Sequence, residues 1–187
     1  MLTGASLGAV ELRRAPDGAI RLRGRFPYST AATLRGGPDP RREVFAARAF
    51  APRIEAGADI HLLVQHDYDR PLASRAAGSL RLEDRDDALA FEAEIAPELR
   101  GAGYVTDFLA GLEAGLVRGL SPGFRVPAGG ETVKRNGAGL TRVIARAELL
   151  ELSAVTVPAY EDAQIEARRW SPDAASPELA ARRRWRV

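Results

Sequence analysis

The feature that most constrains the fold of this chain is a succession of short apolar segments separated by turn residues. The clearest case is residues 79–95, where apolar and polar side chains alternate over 79–83 and again over 88–95. The charged residues 84–87 separate these two segments. Alternation with a period of two places one face of a strand against a core and leaves the other in water. The pattern therefore predicts a β-hairpin with a charged turn.

Other extended segments follow the same pattern along the chain. The turn signal Ala15-Pro16-Asp17-Gly18 lies between two of them and predicts a hairpin near the N-terminus. Glycine-containing turns bracket a second predicted hairpin, on the surface, over residues 128–139. The remaining strands are predicted at 60–65, at 118–126 and, as one long β-rich run, at 141–157, in addition to the N-terminal pair at 7–13 and 19–26.

The segments between these strands contain loops and one long helix. Residues 29–42 and 68–77 are predicted loops, an ordered element begins at Glu43, and 46–56 are expected to form a short helix or turn interrupted near Pro52. Apolar residues spaced three and four apart predict a helix that begins at Pro97 and runs to about Leu116. Many short strands with one substantial helix indicate an α+β, mainly β fold with a β-barrel or sandwich-like core.

The length and charge distribution indicate one domain followed by a basic tail. The chain has 187 residues, and we expect the domain to span 1–166 and the tail 167–187. Residues 168–187 carry six arginines against Asp173 and Glu178, so positive charge is concentrated in the tail and does not form a general nucleic-acid surface. No run is long enough for a membrane span, and the N-terminus lacks a secretory hydrophobic region. We therefore expect a soluble protein that is intracellular or carried inside a particle.

The residue types available for catalysis are few. The chain has no cysteine, which excludes disulfides, zinc–thiolate sites and a thiol nucleophile. It has two histidines, so nucleophilic catalysis would use a serine or threonine with His61 or His66 as base. His66 ends a predicted buried strand, and Ser121 lies between Gly119 and Gly123. Either these are a base and its nucleophile, or they are a strand-end histidine and a turn serine.

Residues 119–123 match the G-x-S-x-G pattern of the α/β-hydrolase nucleophile elbow, but that interpretation fails. The elbow requires the order serine, acid, histidine, whereas both histidines here precede Ser121. Pro122 also has no N–H with which to stabilise an oxyanion. An oxyanion donor must therefore come from Gly123 or from another segment near residues 156–160.

Three motifs carry a family resemblance. They are Gln65-His66-Asp67, Gly119-Leu120-Ser121-Pro122-Gly123-Phe124, and the segment from Leu150 to Ala159. Together they resemble the signature blocks of the tailed-phage prohead maturation proteases, over about residues 8–166. The early segment Glu43-Val44-Phe45 with Ala49-Phe50 also resembles this family, although Arg48 replaces a small residue and Gln65 replaces the commoner asparagine. The resemblance implies a fold similar to that of the herpesvirus assemblins, a β-barrel wrapped by helices.

The resemblance also implies the catalytic roles. His66 would be the general base, Ser121 the nucleophile, and Glu151 the acid that orients the imidazole. Glu148 and Asp67 are rival acids, and Glu151 could instead be a rim carboxylate paired with an arginine. His61 is expected to be structural, because it begins the strand and should lie on the face opposite His66. No metal or organic cofactor is implied.

The function implied is that of a serine endopeptidase that matures a phage or phage-like capsid. Its partners would be the scaffold or capsid protein inside the immature shell, in the host cytoplasm, with no membrane or specific nucleic acid. Self-cleavage, a homo-oligomer, and an origin in a gene transfer agent are left open. Two other functions also remain open: a non-catalytic assembly factor that keeps the protease fold, and a general esterase.

Overall fold

A computed structural model describes residues 9–14 and 20–156, with side chains from residue 20 onward. This part of the chain contains twelve strands, two α-helices and a 3-10 turn at Pro97–Leu99. The strands are β1 Ala9–Arg14, β2 Ile20–Pro27, β3 Ala32–Arg35, β4 Arg41–Phe45, β5 His61–Val64, β6 Asp67–Ser74, β7 Leu80–Asp84, β8 Ala88–Ile95, β9 Gly119–Arg125, β10 Glu131–Asn136, β11 Gly139–Ile144 and β12 Glu148–Val155. The helices are α1 Ala51–Glu55 and α2 Gly103–Glu113.

The strands form three four-stranded sheets. The first has the order β1-β2-β8-β7, the second β10-β11-β4-β3, and the third β6-β5-β12-β9. Most neighbouring strands are antiparallel, but β4 runs parallel to β11 and β5 runs parallel to β12. The expectation of a mainly β, α+β fold is therefore confirmed. Across residues 9–14 and 20–156, the ladders do not close into a barrel.

One hydrophobic core joins the three sheets. Phe45 of β4 packs against Phe26 of β2 and Phe124 of β9, with ring centroids 5.2 and 4.9 Å apart in edge-to-face geometry. The ring centroid of Phe50, just before α1, lies 5.1 Å from that of Phe45. Burying an aromatic side chain of this size stabilises the fold by roughly 1.5–3 kcal/mol. The cluster therefore fixes β9, and the serine that it carries, relative to the other two sheets.

Two of the predicted hairpins are confirmed in full. β1 pairs with β2 and β7 with β8, each antiparallel and at the expected place in the chain. The third hairpin, β10 with β11, is also present, but it spans 131–144, so the glycine turn expected to end it lies at its centre. The predicted strand at 118–126 is also present, as β9. Local alternation and turn residues were sufficient here because the paired strands are neighbours in sequence. The expected tail at 167–187 lies outside the described residues.

The loop predicted at 68–77 is wrong, because most of it is strand β6. A two-residue turn joins β5 directly to β6, and the turn residues Gln65 and His66 lack the glycine signal that normally marks such a hairpin. Pro71 within β6 also argued against a strand, but β6 lies at the edge of the third sheet, where a missing N–H is tolerated. The predicted loop at 29–42 likewise contains β3, which pairs with β4.

Three further predictions need correction. The single helix at 97–116 is a 3-10 turn followed by α2, since Gly101 and Gly103 do not favour a continuous helix. The long run at 141–157 divides into β11 and β12, because the chain leaves the second sheet and enters the third between Ile144 and Glu148. Pro52 stands in the first turn of α1, where proline starts a helix and does not interrupt it. Neither helix in the described part is long and apolar enough to cross a membrane.

Candidate active site

Strand β12 organises the candidate site because it lies between β5 and β9 in the third sheet. Glu151 is in register with Gly123 of β9, and Ser153 is in register with Ser121. Paired residues of neighbouring strands, and residues two apart on one strand, point to the same face of a sheet. These four residues therefore share one face. Leu152 of β12 belongs to the hydrophobic core, so this shared face is the one turned away from that core.

His66 lies in a tight turn and not on strand β5. Val64 pairs with Asp67, so Gln65 and His66 are the two central residues of the β5–β6 turn. Their φ angles are +56° and +62°, the left-handed conformation that a type I′ turn requires. A non-glycine residue in this conformation costs roughly 1–2 kcal/mol. The prediction that His61 and His66 lie on opposite faces is therefore wrong, because His66 lies outside the strand alternation and His61 is in register with Glu151, which His66 contacts.

Hydrogen bonds to β12 offset the strain of this turn. The Gln65 N–H donates to the Ala154 carbonyl at 3.0 Å, and the Gln65 side-chain amide donates to Thr156 Oγ1 at 2.7 Å. The His66 N–H donates to Ser153 Oγ at 3.0 Å. The turn is thus fixed to the strand that carries Glu151.

The imidazole of His66 contacts the carboxylate of Glu151. His66 Nδ1 lies 2.7 Å from Glu151 Oε1, and Ser153 Oγ donates to the other carboxylate oxygen at 2.6 Å. Glu151 is 3% exposed, so both contacts satisfy a carboxylate that is almost removed from water. An ionised carboxylate only accepts hydrogen bonds, so Nδ1 is the donor in this contact, and in the neutral imidazole Nε2 then carries the lone pair. This is the tautomer that a general base requires.

Ser121 is buried, and its hydroxyl has no hydrogen bond. It is 1% exposed, and Oγ has no partner among the described residues, His66 included. A buried unsatisfied hydroxyl costs about 1–3 kcal/mol, so such groups require an explanation. Hydrogen bonds between a nucleophile and its base are often long or absent before substrate binds. Pro122 belongs to the alternate, core-facing set of β9 residues, so its ring does not point to the face that carries Ser121.

Gly123 makes room for Glu151. A Cβ atom built on Gly123 would overlap Glu151 Oε1 and would lie only 2.8 Å from Glu151 Cδ. The carboxylate therefore occupies the space above Gly123 that a side chain would fill. A glycine is thus required at position 123 because a side chain there would displace Glu151, and this requirement is unrelated to a nucleophile elbow.

The other ionisable candidates have different partners. Glu148 accepts a hydrogen bond from Arg125 Nε at 2.9 Å, and Asp67 forms an ion pair with Arg70 at 3.2 Å. The structure thus brings Glu151, and neither rival, against the imidazole. The paired arginine expected for a rim carboxylate belongs to Glu148 and not to Glu151.

His61 lies on β5 in register with Glu151, and its neighbours are Asp59 and Tyr68. Its Nε2 is 3.7 Å from Asp59 Oδ2, and its ring centroid is 6.3 Å from that of Tyr68. Burial, and then the negative charge of Glu151, raise the pKa of Tyr68, although the side chain is 59% exposed. Tyr68 therefore stays protonated at neutral pH. Within the described residues, no group of three or more histidine, aspartate or glutamate side chains is arranged to hold a metal ion.

Sequence reasoning missed Ser153, the role of Gly123 and the left-handed turn. The spacing of Glu151 and Ser153, two residues apart on one strand, was the available signal for a shared face. The contact between them depends on rotamers and on the register with β9, which local patterns do not encode. The turn gave no signal because neither central residue is glycine or asparagine.

Comparisons with known proteins gave one match. A family model described as caudovirus prohead serine protease matches residues 30–176, a range that includes His66, Ser121 and Glu151. Searches of curated proteins and of solved structures gave no significant match.

Proposed function

The chain belongs to the family of caudovirus prohead serine proteases, and from that premise we propose that it cleaves scaffold or major capsid protein segments inside an immature phage or phage-like shell. The family assignment carries the serine endopeptidase activity. The observation that best supports the activity in this chain is the contact of 2.7 Å between His66 Nδ1 and the buried carboxylate of Glu151. Such a pair has the geometry of the base and acid of a catalytic triad.

We assign three roles within this site. His66 is the general base, Ser121 is the nucleophile, and Glu151 holds the imidazole in one tautomer and stabilises its protonated form. Ser121 is supported by its place on the same sheet face as Glu151 and by its unpartnered hydroxyl. A hydroxyl without another partner is free to turn toward a base.

The proposed reaction has two steps. Ser121 Oγ attacks the carbonyl carbon of the scissile peptide bond and transfers its proton to Nε2 of His66. The amine product leaves with that proton, and an acyl-enzyme ester remains on Ser121. Water then attacks the ester, His66 again takes a proton, and the serine is regenerated. Pro122 cannot donate to the oxyanion, so the proposed donors are the Gly123 N–H or a group of another segment.

The finer features of the family resemblance remain proposals. They are an assemblin-like barrel, a protease domain over residues 1–166, recruitment by a basic tail at 167–187, and self-cleavage. The three sheets share one core, which is compatible with a barrel-like arrangement. A virus-like particle such as a gene transfer agent is an equally suitable setting.

Co-expression with the cognate capsid protein tests the function. Mass spectrometry should show a shortened capsid or scaffold protein with the wild-type protease and the full-length protein with Ser121→Ala. Ser79→Ala, at the turn before β7, is the matched control and should process normally. Normal processing by Ser121→Ala would exclude the serine mechanism. Mature particles formed by that variant without any cleavage would indicate the alternative function, a non-catalytic assembly factor.

The two histidines provide a second matched pair. His66→Ala should reduce cleavage as severely as Ser121→Ala, since members of one catalytic unit do not contribute additively. His61→Gln should retain most activity, because His61 contacts Asp59 and Tyr68 instead of Glu151. Cleavage rates measured on a peptide from the processed junction would compare the variants. An inactive His61 variant with an active His66 variant would reverse the assignment.

A further inference from the structure

Ser153 links the proposed base, His66, to the proposed acid, Glu151, in a closed ring of hydrogen bonds. The His66 N–H donates to Ser153 Oγ, and the Ser153 hydroxyl donates to Glu151 Oε2. Glu151 Oε1 in turn accepts the Nδ1 proton of His66. The ring therefore returns to the residue where it begins. A serine hydroxyl is suited to this position because it accepts and donates at the same time.

This ring restrains two features that could otherwise vary. A glutamate side chain has three rotatable bonds, and the imidazole contacts only one of its two carboxylate oxygens. The His66 backbone is in a left-handed conformation that requires support from its surroundings. Ser153 contacts both, so one fully buried side chain joins the turn directly to the carboxylate.

Ser153 itself is not arranged as a nucleophile. Its proton is directed at Glu151, and the Nδ1 atom of His66 is already engaged with the same carboxylate. The Ser153 hydroxyl donates its proton to a carboxylate in a hydrogen bond and accepts a hydrogen bond from a backbone N–H. Both contacts position other groups, and neither activates the hydroxyl for attack. Its cross-strand neighbour Ser121 is the serine whose hydroxyl lacks a partner.

We propose that Ser153 is a positioning residue that acts through Glu151 and the His66 turn, and that it sets the imidazole in its reactive orientation. The proposal rests on the proposed function for its effect on catalysis, but the orientation itself is a property of the folded chain. Ser153 does not contact the substrate. Its removal should therefore reduce kcat on the order of 10- to 100-fold, the effect expected of a misplaced catalytic group, and change KM by less than about twofold.

Nuclear magnetic resonance gives a readout that does not depend on activity. The Nδ1 proton of His66, held against a carboxylate, should give a low-field signal in the full-length wild-type chain and in Ser121→Ala. The chain has only two histidines, so a signal that persists in His61→Gln belongs to His66. In Ser153→Ala the signal should broaden or move to higher field, and the His66 backbone amide should exchange at least about tenfold faster.

Two additional variants complete the experiment. Ser153→Thr keeps the hydroxyl and should restore the low-field signal and most of kcat. Ser153→Cys, similar in size but a much weaker donor, should reproduce the loss and replaces Ser153→Ala if that variant does not fold. Ser79→Ala is again the matched serine control, with an unchanged signal and unchanged rates.

The outcomes separate the inference from the proposed function. An unchanged His66 signal and amide exchange in Ser153→Ala would overturn the positioning role, whatever the activity. A lost signal in that variant, with a wild type that cleaves no capsid or scaffold substrate, would retain the positioning role and contradict the proposed function. A lost signal with kcat reduced as expected supports both.

Discussion

At the scale of single residues, the site depends on which atoms occupy a very small volume between β9 and β12. The carboxylate of Glu151 lies where a side chain on Gly123 would lie, and it contacts both His66 and Ser153. Substitutions that change this volume should therefore act on catalysis through the position of one carboxylate. They should do so even where the substituted residue has no chemical function of its own.

Gly123→Ala should be a severe variant despite the small size of the added group. The new Cβ would overlap Glu151 Oε1, so Glu151 must rotate away from His66. We expect kcat to fall on the order of 100-fold and stability to fall by about 1–3 kcal/mol, as is usual for overpacking. Kinetics and denaturant titration measure the two effects. Gly36→Ala, in the loop between β3 and β4, is the control for a general glycine effect, because its φ is outside the left-handed region and an added Cβ meets no atom there. Equal losses in both variants would contradict the steric account.

At the scale of elements, the β5–β6 turn is the part whose conformation matters most. It is short, it uses two non-glycine residues with positive φ, and it is fixed by side chains and carbonyls of β12. A turn of this kind holds the imidazole of His66 at a defined position beside the end of a strand. The local strain is offset by tertiary hydrogen bonds, so the turn conformation depends on the sheet being formed.

Substitution of Gln65 should separate backbone strain from side-chain contact. Gln65→Val places a β-branched residue in the left-handed region and also removes the Thr156 hydrogen bond. We expect a loss of about 2 kcal/mol in the free energy of unfolding and a clear loss of activity. Gln65→Gly loses the same hydrogen bond but relieves the strain, so its stability should stay within about 1 kcal/mol of wild type. Thermal or urea unfolding compares them. Equal stability of the two variants would show that the turn is not strained.

At the scale of the whole molecule, three sheets share one core, and the third sheet carries the site on its opposite face. Phe45 and Phe124 join the second and third sheets, so core packing fixes the strand that bears Ser121. Ser121 Oγ is inaccessible in the described structure, so a substrate requires some local opening to reach it. The basic tail at residues 167–187 lies outside the described residues, and its role is predicted from sequence alone.

The tail prediction concerns recruitment. Deleting residues 171–187 should leave the cleavage rate of a soluble peptide unchanged and should lower incorporation into particles, because arginines there would bind an acidic partner surface. Replacing Arg182, Arg183, Arg184 and Arg186 with glutamine should have the same effect, and high salt should mimic it. Quantifying protease per purified particle provides the measurement. A deletion variant that unfolds, beside a glutamine variant that is incorporated normally, would assign the tail to the fold instead.

The sequence alone determined much of the secondary structure and the family. The hairpins β1–β2 and β7–β8 follow from period-two alternation and turn residues, which are local properties, and the motifs around His66, Ser121 and Glu151 carry the family resemblance. The helix predicted at 97–116 is confirmed over α2 but begins later than expected, and the loop predicted at 68–77 is wrong. The effect of a glycine on a helix, and of a proline on a strand, depends on the neighbouring elements. Local patterns therefore indicate where strands occur more reliably than how the chain joins them.

Only the tertiary structure decided which acid meets the imidazole. The family resemblance favoured Glu151 over its rivals Glu148 and Asp67, but the pattern of apolar and polar residues did not separate them. The register of β12 between β5 and β9 places Glu151, and neither rival, against His66. The same register places Ser153 under the turn and Gly123 under the carboxylate. These contacts join residues more than 25 positions apart. They depend on strand register and on the φ angles of a two-residue turn, and neither is encoded by the alternation of apolar and polar residues.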